Sequence, residues 1–285
     1  MATIDRGRRL GLIIPSKLLL AVFFLIPVCE VLRWSLADDQ GNGFTLANFQ
    51  DFLGTDTYVL LTMRTLLVAA VVALACLVLG YLIALQIYRL GPRMRTWTLM
   101  AIITPMWLSV LVRTYAWMVV IGRDGLINRF LLDVGLLDHP LKMLFTRGAV
   151  YVTMTQILLP IVVLSSFSAM TSVDPTLVRA ARIMGAGRLT AFLRVFVPLT
   201  AAGAINGAAL VFVLCLGFFV TPALVGGPND SLVANVISTQ VVQTLEWNGA
   251  AVLSIFLIGT ALVVMAPILG VTRRMLPKSY EGGRK

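Results

Sequence analysis

The chain has 285 residues, 59% of them hydrophobic and only 13% charged, with a mean hydropathy of +0.92 and a formal net charge of +10. A water-soluble domain is about half apolar and about a quarter charged, so this composition excludes one and points to an integral membrane protein. The excess of positive charge gathers at the ends of apolar blocks, as membrane topology requires, and gives no ground for a nucleic-acid partner.

Six blocks are long enough to cross a hydrocarbon core of about 30 Å as helices of about 20 residues. They cover residues 18–36, 65–88, 99–121, 149–170, 201–225 and 250–271. Runs such as LLVAAVVALACLVLGYLIAL at 66–85 are apolar on every face and lack the two-residue alternation of a barrel strand, so the expected fold class is all-α, with six transmembrane helices. With both termini on one side, sixteen Lys and Arg fall there, among them Arg6, Arg8, Arg9, Lys17, Arg89, Arg93, Arg95, Arg273, Arg274, Lys278, Arg284 and Lys285. Six fall opposite: Arg33, Arg64, Arg123, Arg129, Lys142 and Arg147. Both termini are therefore expected to be cytoplasmic.

The first block has a basic start and SLA at 35–37, but it is longer than a signal peptide needs, and a retained span is expected. IPVC before Glu30 lacks the small residues of a lipoprotein site. Within the same block lies Glu30, six residues from its outer end, while Arg113 of the third block lies eight residues from its own. At about 1.5 Å per residue their depths differ by about 3 Å. Several readings stand open: an ion pair between them, a pair from Glu30 to Arg33 one turn on, an arginine reaching outward, or two charges lining a solute route. Trp107, Tyr115, Trp117 and Trp247 are explained by packing or by an interfacial aromatic belt, and their rings would also welcome a cationic solute.

Between the fourth and fifth blocks, residues 171–199 form a basic cytoplasmic segment with four arginines, Arg179, Arg182, Arg188 and Arg194. Asp174 is suited to cap a helix and Pro175 to open it, while Gly185 and Gly187 are suited to end it in a left-handed turn. That helix has about ten residues and a length of roughly 15 Å, too short to span a bilayer. At about 100° per residue Leu177, Ala180, Ala181 and Met184 share one side and Arg179 and Arg182 the other. A second short helix is expected over 190–196, with Pro198 at the entry to the next span. The segment is either a basic loop resting on anionic headgroups or a docking surface, and small residues on the contact face favour docking.

In the fifth block GAING places Gly203 and Gly207 at the spacing of close helix packing. Gly217, Pro222 and Gly227 follow, and such residues loosen a helix where a gate must move. The outer loops carry nine acids (Asp38, Asp39, Asp51, Asp56, Asp124, Asp133, Asp138, Asp230 and Glu246), an imprint that charge topology leaves and that a basic protein lobe or a cationic solute would also suit. Cys29, Cys76 and Cys215 lack metal or disulfide spacing, and His139 is the lone histidine, so no metal site is expected. No GxxxxGK[ST] loop, hydrolytic triad or paired-carboxylate arrangement occurs, so no catalytic residue and no cofactor is expected on this chain.

Arg179-Ala180-Ala181, then Gly185-Ala186, Phe192 and Val197-Pro198-Leu199 resemble the EAA…G…LP loop of the membrane subunits of binding-protein-dependent ABC importers. FTLANF at 44–49, RTYAW at 113–117, GLIN at 125–128 and LGFFVTPALVGG at 216–227 extend the resemblance over nearly the whole chain, toward the polyamine-type branch. The resemblance implies a single permease domain over 1–285 of type I importer fold, with a coupling helix that seats in an ATPase subunit. ATPase coupling would then fall on Leu177, Arg179, Ala180, Ala181, Met184, Gly185 and Ala186. The route and gate would involve Glu30, Arg113, Trp117, Gly217, Phe218, Phe219 and Thr221. Implied partners are two ATPase copies that bind ATP and Mg, a second permease, a solute-binding protein and the bilayer of a bacterial inner membrane. One departure is clear: Arg179 stands where that family has glutamate. An ion-coupled secondary transporter is the alternative and predicts inverted repeats and acids at mid-membrane, neither of which is evident. A non-transporting scaffold would need the docking loop but not the glycine-broken fifth block.

Overall fold

The computed structural model describes residues 6–38 and 43–275, so Asp39, Lys278, Arg284 and Lys285 lie outside the described residues. Every regular element among them is helical, beyond one isolated antiparallel bridge between Ala37 and Phe44. In chain order the helices are α1 (Arg6–Leu36), α2 (Ala47–Gly54), α3 (Asp56–Arg89), α4 (Pro92–Ile103), α5 (Val110–Ile121), α6 (Leu126–Asp133) and α7 (Arg147–Ser172). They continue with α8 (Pro175–Ile183), α9 (Arg188–Ala191), α10 (Val197–Leu216), α11 (Val220–Val225), α12 (Val233–Thr239) and α13 (Trp247–Met275). Two compact units are distinguished, one of Met1–Val59 with Val236–Ile258 and one of Leu60–Asn235 with Gly259–Lys285.

Five helical stretches are long and apolar enough to cross a membrane, and a bent pair of helices over residues 92–133 has the composition of a sixth. The third block is thus a correction to the expected single helix over 99–121. After α4 the chain passes through a tight turn at Thr104–Trp107, Leu108 is extended, and α5 begins at an angle of 103°. Pro105 is compatible only with the start of that turn, and Ser109 caps α5 by accepting a hydrogen bond from the Leu111 N–H at 3.3 Å. The fifth block also departs from one helix over 201–225, because α10 stops at Leu216 and α11 starts at Val220.

In the larger unit α7 and α10 form the core, held together by glycine. A Cβ on Gly203 would stand 2.3 Å from the Ala169 Cβ, and one on Gly207 would stand 2.9 Å from the Ser165 Cβ. The Ser165 hydroxyl donates to the Gly203 carbonyl at 2.6 Å. This is the close approach expected of GAING, where small residues let van der Waals packing hold helices together in lipid. At the end of α3 near Arg89, the residues Leu85, Ile87, Val163, Met170 and Phe196 close an apolar cluster. Cys76 and Cys215 are buried in the larger unit, whereas Cys29 is exposed, so a packing role fits the first two and not Cys29.

Candidate functional site

The segment after α7 folds by its own local chemistry. The Asp174 carboxylate accepts a hydrogen bond from the Thr176 N–H at 2.8 Å, and Pro175 occupies the first turn of α8. Hydrogen bonds from the Thr176 backbone and side chain, with Arg179 nearby, hold the Asp174 carboxyl below the usual carboxylate range. At the other end Gly185 takes φ +92°, a conformation glycine adopts without steric cost. Its N–H donates to the Arg182 carbonyl and that of Ala186 to the Ala181 carbonyl, both at 3.1 Å, which satisfies the last carbonyls in a Schellman closure. Only Gly185 makes the left-handed turn. Gly187 is extended, at φ −62° and ψ 161°, and opens α9 instead.

The expected helix over 190–196 is likewise corrected. It begins at Arg188 and runs without a break through a wider turn at Phe192–Phe196 into α10. Pro198 has no N–H to give to the turn below, and the register shift that lets the Val197 N–H reach the Phe192 carbonyl absorbs the mismatch.

The apolar residues of α8 divide between two faces. Val178 packs against the apolar cluster and Ala181 is buried, whereas Leu177, Ala180, Ile183 and Met184 are exposed. Ala181 therefore faces inward rather than sharing the outer surface with Leu177, Ala180 and Met184. Ile183, 86% exposed, joins that surface and was missed by the sequence pattern, although its spacing from Ala180 was signal enough. Beside it Arg179, Arg182, Arg188 and Arg89 line a groove of about 300 Å³ over Tyr88, Phe192 and Phe196. Leu177, Arg179, Ala180, Met184 and Gly185 thus lie together at an exposed corner, with Ala186 half-buried behind them.

The charges within the membrane find separate partners. The Glu30 carboxylate pairs with Arg33 at 3.1 Å, both side chains being more than half exposed. The Arg113 guanidinium donates to the Ile157 carbonyl at 3.2 Å, and its Nε is buried without a partner. Of the ion pairs open to Glu30, the one formed is that to Arg33 one turn on. Next to Arg113, the Trp117 indole N–H donates to the Gln156 side-chain oxygen at 3.0 Å. Gln156 joins the candidate residues here, and its amide inside an apolar run is the sequence signal for it.

At the break in the fifth block, Thr221 is fully buried and hydrogen-bonds Thr114 of α5 at 2.9 Å. The Thr114 hydroxyl has one proton and gives it to the Val110 carbonyl at 2.8 Å, so Thr221 is the donor between the two. Asn235 donates to the Phe219 carbonyl at 2.7 Å, which anchors the non-helical turn. Phe218 is half-buried and Phe219 exposed, and Gly217 faces open space, so α10 ends there without steric demand for glycine. Asp230, one of the nine outer acids, is committed to Arg147 at 2.9 Å.

Several helices of membrane length, with a bent pair and a short capped helix between two of them, mark a multi-pass membrane protein. Residues 76–276 match the family of binding-protein-dependent transport system inner membrane components, and the chain belongs to that family as the permease subunit of an ABC importer. It is 35% identical over 241 residues to the spermidine/putrescine transport system permease protein PotB of Escherichia coli K12, spanning 84% of this chain and 86% of that one. It is 32% identical over 241 residues to the PotB of Haemophilus influenzae, spanning 83% and 84%. The fold is similar to a chain of a bacterial ABC transporter that imports the acidic polysaccharide alginate, with a TM-score of 0.74 and 16% identity over 94% of this chain and 95% of that one. It is also similar to a chain of the MetNI methionine ABC transporter, with a TM-score of 0.56 and 15% identity over 77% and 96%.

Proposed function

We propose that this chain forms, with a second permease of similar fold, the membrane route of an importer for spermidine, putrescine or a related amine. Identity of 35% spread over 84% of the chain to a spermidine/putrescine permease carries the choice of solute. ATP and Mg belong to two ATPase subunits on the cytoplasmic side, and a solute-binding protein delivers cargo from outside. The cytoplasmic placement of both termini rests on the sixteen basic residues assigned to that side.

In this reading residues 171–199 form the coupling loop of a single permease domain spanning 1–285. Leu177, Ala180, Ile183 and Met184 seat in an ATPase cleft, while Arg179 at the neighbouring groove meets an acidic or neutral group there. The Schellman closure at Gly185 and Ala186 fixes where the helix ends, so that a push on α8 passes through α9 into α10. At the far end of α10 the helix stops at Leu216, and the gate of this reading lies at Gly217, Phe218 and Phe219 just beyond it. Thr221, Arg113 and Trp117 line or brace the route beside it.

Uptake of radiolabelled spermidine by cells lacking their own polyamine importers, with this chain and its native partners supplied, tests the reading. ATP-dependent accumulation competed by putrescine supports it. Accumulation competed only by an unrelated solute class overturns the choice of amine.

A further inference from the structure

In the smaller unit a cavity of about 460 Å³ opens beside the end of α1, between α2 and the start of α13. That volume is within the roughly 300–1,000 Å³ of small-molecule sites. Its walls are aromatic: Trp34 and Trp247 lie 6.3 Å apart, and Phe52 stacks on Tyr58 at 5.4 Å. Its charged groups are both acids, Asp51 and Glu246, and neither has an ion-pair partner among the described residues. Arg33 pairs with Glu30 and lies over Trp34, yet it is not part of the lining.

Two further observations mark this as a built site. The side-chain amides of Asn48 and Asn248 both donate to the Ala37 carbonyl, at 2.8 and 3.5 Å, which ties the walls together. That orientation leaves the Asn248 oxygen buried with no donor. Leu245, also in the lining, holds φ 58° and ψ 28°, a left-handed conformation costly for a residue with a branched side chain. The Glu246 N–H closes the same turn onto the Gln240 carbonyl at 2.9 Å. Strain of this kind persists where the surroundings impose it, and it clusters at ligand sites.

We propose that this cavity receives the protonated amino group of the transported solute. An ammonium group suits each part of the lining. Carboxylates supply charge and accept N–H protons, and tryptophan faces supply cation-π attraction. A neutral or anionic solute would leave two carboxylates uncompensated. The proposal rests on the amine reading of function and adds to it a first stop that acts after release from the binding protein.

The test uses the full chain with its co-purifying subunits in lipid nanodiscs, without binding protein, and measures equilibrium binding of radiolabelled putrescine. Saturable binding is expected, about tenfold weaker in Glu246→Gln and in Asp51→Asn, and better retained in Trp247→Phe than in Trp247→Ala. Both acids are exposed, and thermal unfolding of each variant in detergent should match the parent. Putrescine binding that is absent, or unaltered by both acid variants, overturns the site. So does a loss of binding-protein association in those variants without any loss of putrescine binding, since a lysine of that protein would then be the occupant. Uptake measured in parallel separates the two ideas: normal spermidine uptake with unaltered binding sinks the cavity alone, whereas putrescine binding lost in the variants of an importer that moves no amine sinks the choice of solute alone.

Discussion

The Gly203 Cα of α10 faces Ala169 of α7 so closely that an added Cβ would stand 2.3 Å from the alanine methyl and 3.0 Å from the Ser165 carbonyl oxygen. Neither neighbour is the free end of a flexible side chain, so the helices must part. Gly203→Ala is expected to destabilise the chain by about 1–3 kcal/mol, the range for overpacking a filled core. Denaturation of the purified protein in detergent measures this, and an unchanged midpoint would show that α7 and α10 are held by something else.

Gly217 gives the opposite expectation. Its φ of −90° suits any residue, and its Cβ direction is open. Gly217→Leu should therefore leave stability and subunit association intact while slowing uptake, because a larger side chain hinders movement where the spanning helix is interrupted. Uptake at the parent rate, with normal abundance, would remove Gly217 from the gate.

The Thr114–Thr221 hydrogen bond ties α11 to α5 at a fully buried point. Since Thr221 donates, Thr221→Ser preserves the bond and Thr221→Val removes it. A double-mutant cycle with Thr114→Val is expected to return a coupling of about 0.5–1.5 kcal/mol, the scale of hydrogen bonds between membrane helices. Additive single effects would mean the bond contributes nothing.

Much of this was legible beforehand, for reasons tied to particular residues. The capping of α8 by Asp174, its closure at Gly185 and the contact at Gly203 and Gly207 all follow from short-range chemistry that a few adjacent residues determine. The break at Thr104–Trp107 was hidden by the hydropathy of its neighbours, although Pro105 and Ser109 were both in plain sight. Helical periodicity grouped Leu177 with Ala181, but it cannot say which side of a short helix already has a partner within the chain. Depth arithmetic placed Glu30 and Arg113 at similar levels, yet depth carries no information about azimuth. Glu30 instead pairs along its own helix at an exposed site.

The cap of α8 carries a pH dependence with a definite sign. The folded Asp174 carboxyl titrates below its ordinary value, so its support of the helix is complete above the ordinary aspartate range and fades as pH falls through the lowered value. Amide exchange in α8 should stay slow from neutrality down to that range and quicken below it. Asp174→Asn, which caps without a charge, should flatten the dependence, while Asp174→Ala should raise exchange at neutral pH. A parent protein whose α8 exchange follows no such trend would refute the cap.

Arg179→Glu converts the exposed corner to the charge more usual at this position in the resembling loop. If the partner cleft is acidic or neutral there, the substitution should weaken association with the native ATPase. Tighter association with transport retained would contradict that complementarity.

The central claim, that α8 couples this permease to an ATPase in an amine importer, is tested most directly by gently solubilising the tagged chain and measuring ATP hydrolysis in the material that co-purifies. Bound ATPase subunits whose turnover rises on adding a binding protein loaded with spermidine or putrescine are the predicted result. A chain that purifies alone from a host expressing its native partners, and moves solute in vesicles down an ion gradient without ATP, would contradict the claim.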